Sequence, residues 1–115
     1  MIKALNPFAP FWYTPRAEAG AEHPTRFKLR GLDGNQFIYI APELIVKDQM
    51  TRGVTGKGLE LALGYGLVDW ENFSNDAGPI ACVPQNFGLV EYLLRVELAM
   101  QILSASYVAP EEKKT

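Results

Sequence analysis

The chain has 115 residues, 48% of them hydrophobic and 21% charged, the balance of one ordinary globular domain. A net charge of -2 is a poor match to a nucleic-acid binder with its basic face, and the single cysteine, Cys82, rules out an intrachain disulfide and argues against a cysteine-based zinc site. No apolar run reaches the about 18 residues of a membrane span, and Met1 to Pro10 has too short an apolar core for a signal peptide, so a reducing cytosol is expected.

Residues 1–24 read as an irregular N-terminal arm. Pro7, Pro10, Pro15 and Pro24 interrupt backbone pairing. The arm nevertheless carries Phe8, Phe11, Trp12 and Tyr13 close together. Such a cluster either wraps the domain and covers its core or docks on a partner. Residues 25–107 form the expected single α+β domain, and 108–115 a charged C-terminal tail.

Thr25 to Ile40 predicts a β-hairpin. Phe27 and Leu29 alternate with Arg26, Lys28 and Arg30, Asp33-Gly34 offers a tight turn, and QFIYI follows as a second strand. Pro42 opens a short helix to Met50. Thr55 is the expected N-cap of a helix from Gly56 to about Tyr65, on which Leu59 and Leu63 recur at helical spacing and Gly66 stands as the C′ residue. Leu67 to Phe73 reads as a short buried segment anchored by Leu67, Val68, Trp70 and Phe73. Asn75 to Gly78 is a turn and Pro79 to Val83 a short strand. Asn86 caps a last helix over 87–107, with Val90, Leu93, Leu94, Ala99, Ile102 and Leu103 as its apolar stripe and Glu91–Arg95 as a surface pair. Leu29, Phe37, Leu63, Trp70, Leu94 and Leu98 are the core candidates. The fold class is α+β, with a small antiparallel sheet containing a β-hairpin packed on two or three helices.

No constellation for chemistry emerges. His23 is the only histidine and lies beside Pro24 in the arm, without a nucleophile to serve. Cys82 between Ala81 and Val83 reads as a small hydrophobe. GVTGKGLE departs from a phosphate loop, because Thr51 stands where its first glycine belongs and Gly58 follows Lys57 in place of Ser or Thr. Asp69, Glu71 and Asp76 fail the calcium-loop pattern, since Phe73 and Ser74 fall at required ligand and glycine positions. No catalytic residue, cofactor or metal site is therefore expected, and the chain reads as a non-enzyme.

Three segments carry a resemblance to a known family. They are TRFKLRGLDG (25–34), GLELALGYGLVDWENFSNDAGPI (58–80) and the long helix with its Glu-Glu-Lys-Lys tail (86–114). Together they resemble the tail assembly chaperones of long-tailed bacteriophages. The resemblance implies a chaperone in the host-cell cytoplasm, absent from the finished virion, that binds tape measure and tail tube proteins and prevents their premature aggregation or polymerisation. It also implies a longer frameshifted form, for which Lys113-Lys114 would permit a slippery codon run. No nucleic-acid or membrane partner is implied. Phe8, Phe11, Trp12, Tyr13, Trp70 and Phe73 are the candidate protein-binding residues. Three alternatives stand beside this reading: a small phage effector that binds a host defence protein or host enzyme, a structural head-tail or tail component, and a small enzyme.

Overall fold

The computed structural model describes residues 9–44 and 56–106, without the side chains of Ala41, Glu43 and Leu44. Its elements are β1 (Phe11–Tyr13), β2 (Arg26–Leu29), α1 (Gly34–Leu44), α2 (Gly56–Gly66), β3 (Leu67–Glu71), β4 (Ser74–Asn75), β5 (Gly78–Pro79) and α3 (Tyr92–Ala105). Short 3-10 helices cover Arg16–Glu18 and Pro84–Leu89. The fold is α+β. An antiparallel sheet of order β1-β2-β3 and a small β4-β5 hairpin accompany three helices, with α2 packed against both α1 and α3.

The sheet follows from alternation. Phe27 and Leu29 of β2 point inward and are fully buried, while Arg26 and Lys28 point outward. Phe11 pairs with Leu29 and Tyr13 with Phe27, so both turn toward the core and leave Trp12 outside. On the other side Phe27 faces Trp70, and a register shift sits between Lys28 and Leu29. That shift lets Leu67 and Trp70, three positions apart, both reach the core, which a regular period of two forbids. Part of the arm is thus a paired strand. Three residues between Pro10 and Pro15 suffice, because neither proline has to donate to the ladder.

The predicted hairpin over 25–40 is corrected. Its first strand exists as β2, but Asp33-Gly34 opens α1, and Gln36 to Ile40 are helical. The cause is a reciprocal cap. Asp33 Oδ1 accepts from the Gln36 amide at 2.8 Å, and Gln36 Oε1 accepts from the Asp33 amide at 3.1 Å. The Phe37 amide then donates to the Asp33 carbonyl at 2.8 Å. The helix expected to begin at Pro42 accordingly starts earlier and contains Pro42 near its end. Residues 45–50 and Thr55, on which the rest of that reading and the predicted cap of α2 fell, lie outside the described residues.

α2 forms as predicted, with Leu59, Ala62 and Leu63 buried. Gly66 is its last residue and not a left-handed cap. A Cβ there would stand 2.5 Å from the Ile102 side chain, so glycine permits the close crossing of α2 and α3. Arg30 closes the helix end, its amide donating to the Gly66 carbonyl at 2.9 Å and its Nε to the Tyr65 carbonyl at 2.8 Å.

Three further boundaries differ. β5 ends at Pro79, so the strand expected to reach Val83 is shorter. The last helix begins at Tyr92, because Asn86 lies in a 3-10 turn and Val90 is extended. Its cap is Glu91, whose carboxylate accepts the Leu93 amide at 2.9 Å and the Leu94 amide at 3.3 Å. Leu29, Leu63, Trp70 and Leu98 are buried as expected, Phe37 and Leu94 pack partly buried against them, and Leu32, Ile40, Ile102 and Leu103 complete the core. Each large side chain fully removed from water contributes about 1.5–3 kcal/mol. The far end of α3 is fastened by Ser106, whose hydroxyl accepts the Leu32 amide at 2.7 Å and donates to the Ile102 carbonyl at 2.8 Å.

Candidate protein-binding site

The predicted binding residues divide between surface and core. Phe8 lies outside the described residues. Trp12 is 40% exposed, with the Arg26 guanidinium carbon 5.2 Å and the Lys28 ammonium 5.9 Å from its ring centroid. Arg26 also pairs with Glu71. Phe11 and Tyr13 are half-buried against the core. The Tyr13 hydroxyl donates to Glu97 Oε2, which also accepts the Arg16 amide at 3.0 Å.

Trp70, expected both in the core and among the binding residues, lies in the core. It is only 7% exposed, and its Nε1–H donates to the Ile80 carbonyl at 2.7 Å. Phe73 is half-buried, with its ring centroid 4.9 Å from that of Trp70. The two therefore belong to one aromatic cluster with Phe27 and Phe87. The reason is tertiary: β2 covers Trp70 from one side and the 84–89 turn brings Phe87 to another.

Accessible apolar surface gathers elsewhere. A groove of about 660 Å³ runs between α2 and the segment from Pro84 to Arg95. Leu59 and Leu63 of α2, both nearly buried, lie behind it, the half-buried Phe87 lines it from the 3-10 helix, and the exposed rings of Tyr65 and Tyr92 supply its accessible apolar surface. Leu89 and Leu93, the latter 69% exposed, are further accessible apolar side chains of the 84–95 segment. Its volume lies within the range that binds specific ligands.

Three glycines border the groove. Gly56, Gly64 and Gly88 line it, and a Cβ at any of them would meet no atom within 4 Å. None has the positive φ that requires glycine. Gly64 inside α2 costs about 1 kcal/mol relative to alanine. The backbone does not need these glycines. Arg95 lines the same groove, with its Nε buried and without a hydrogen-bond partner among the described residues. Glu60 is exposed along it.

The remaining polar residues have structural duties. Asp69 Oδ1 accepts the Trp70 amide at 2.8 Å, Glu71 holds Arg26, and Asp76 lies between β4 and β5. Burial first, and the negative Asp69 second, push the Cys82 thiol up to about 11, so it stays protonated at neutral pH. His23 is exposed. Among the described residues no three His, Cys, Asp or Glu side chains converge to hold a metal, and no helix is long and apolar enough to cross a membrane.

Sequence reasoning missed the groove because its walls are distant in the chain. Gly66 reads as a residue that ends a helix, yet it faces a packed isoleucine, whereas Gly64 two positions before it faces open space. No protein-family model matches the chain, and no curated protein or solved structure is similar to it.

Proposed function

We propose that the chain is a non-enzymatic client-binding protein, a tail assembly chaperone of a long-tailed phage. It acts in the host-cell cytoplasm, holds apolar segments of tape measure and tail tube proteins until assembly, and leaves before the virion is complete. The observation that carries this reading is the glycine-lined apolar groove between α2 and the start of α3. Concave apolar surface with aromatic rims suits the capture of apolar protein segments, and aromatic anchors dominate the energy of such contacts. Except for Gly56 and Pro84, the residues that line the groove also fall within segments that carry the family resemblance, 58–80 and 86–114. Binding requires no catalytic centre, in keeping with a sequence that offers none.

Co-expression with the tape measure protein of the encoding phage tests the reading. The tape measure protein is expected to be insoluble alone and to co-purify in soluble form with this chain. A folded, monodisperse chain that leaves it insoluble and unbound would overturn the chaperone reading in favour of a host-protein target.

A further inference from the structure

Resting on the client-binding reading, we propose that the groove receives an amphipathic helix of a partner protein whose apolar stripe carries one aspartate or glutamate, and that this carboxylate meets Arg95.

The charge pattern selects the carboxylate. Arg95 lies one helical turn after Glu91, the position from which a glutamate ordinarily pairs with an arginine. Glu91 is otherwise engaged, its two carboxylate oxygens capping the Leu93 and Leu94 amides. Arg95 is left half-buried on the groove wall with Nε shielded from water and unpartnered among the described residues. A shielded Nε–H without an acceptor is costly, and a carboxylate satisfies it with a charge-assisted hydrogen bond.

The shape selects a helix. The groove runs alongside α2 and is walled by apolar side chains, so it can seat residues spaced i, i+3, i+4 and i+7. Glycine at Gly64 and Gly88 lets a partner backbone come close. A fatty acid would also offer a carboxylate on an apolar body. It has no second polar group to offer Glu60, the exposed carboxylate that lines the same groove. A helix can set an acid toward Arg95 and a basic or neutral residue toward Glu60.

A yeast-displayed library of amphipathic helices with a randomised apolar stripe, sorted on the full chain, tests the inference. Enriched helices are expected to carry an acid within the stripe. Changing that acid to its amide should weaken binding at least tenfold to the wild type and less than twofold to Arg95→Gln. Gly64→Leu fills the groove where no atom lies within 4 Å, and should abolish binding while circular dichroism and Tm show an intact fold. Enrichment without acids, equal binding of acid and amide helices to the wild type, undiminished binding to Gly64→Leu, or displacement by laurate below the helix's own Kd would each overturn it. The two readings separate cleanly. A tape measure protein that still co-purifies with Gly64→Leu supports the chaperone and overturns the groove as its seat. Acid-bearing helices that bind when no tape measure protein does support the groove and overturn the chaperone.

Discussion

Tyr13 in β1 gives its hydroxyl hydrogen to Glu97 in α3, joining the first strand to the last helix across most of the chain. The contact has a pH signature. Burial first, then the hydrogen bond to Glu97 and its negative charge, raise the Tyr13 pKa from 10.0 to about 12. The neutral phenol is therefore favoured in the folded state. Its stabilisation is complete below the unfolded value near 10 and is lost as pH rises toward 12.

Tyr13→Phe removes that hydroxyl. At neutral pH it should cost about 1 kcal/mol, the usual worth of one such hydrogen bond. Between pH 10 and 12 the Tm of the variant should fall less steeply than that of the wild type. Parallel thermal melts across that window check both, and identical slopes would show that the contact does not govern alkaline stability.

Gly31 and Gly64 should respond oppositely to alanine. A Cβ on Gly31 would stand 2.9 Å from the Ala105 carbonyl oxygen, a backbone atom that cannot swing aside. Gly31→Ala is expected to destabilise by about 1–3 kcal/mol through overpacking. Gly64→Ala meets open space inside a helix and should stabilise by up to about 1 kcal/mol. Urea denaturation of the pair measures the difference, and a shared sign would contradict this account of the two glycines.

Phe11 and Trp12, neighbours in one strand, should separate structure from surface. Phe11 packs against the core whereas Trp12 stands outside. Phe11→Ala is expected to lower stability by about 2–4 kcal/mol, less than a fully buried phenylalanine would lose. Trp12→Ala should cost no more than about 1 kcal/mol, its cation–π contacts being exposed. Equal losses in denaturant melts would mean that Trp12 is as deeply packed as Phe11.

Much of the architecture was legible in the chain. Alternation in 25–30 placed β2, and leucine spacing placed α2. The hairpin failed because Asp33-Gly34 fits two local rules at once. It begins a tight turn, but with Gln36 three residues on it is also a capping box, and the reciprocal bonds decide for a helix. Similarly, Glu91 satisfies a surface-pair pattern with Arg95 but is taken by the helix cap. The arm's aromatic residues could not be sorted from sequence for another reason. Aromatic residues near prolines look like a docking arm, whereas pairing with β2 decides which of them turn inward, and that pairing is non-local. The groove depends on α2 and α3 meeting through Gly66 and Ile102, a contact no local pattern announces.

β2 is the middle strand of the sheet, flanked by β1 from before it and by β3 from well after it. A ribosome delivering this chain can offer β1 and β2 together early. The third strand, which brings Trp70 against Phe27, emerges only after both α1 and α2 have been made. Until then Phe27 and Leu29 lack one flank, and closing the long excursion from Leu29 to Leu67 carries the entropic cost that slows folding. The β2–β3 pairing is therefore expected to form late, and a stopped-flow refolding signal from Trp70 slower than that from helix formation would show it.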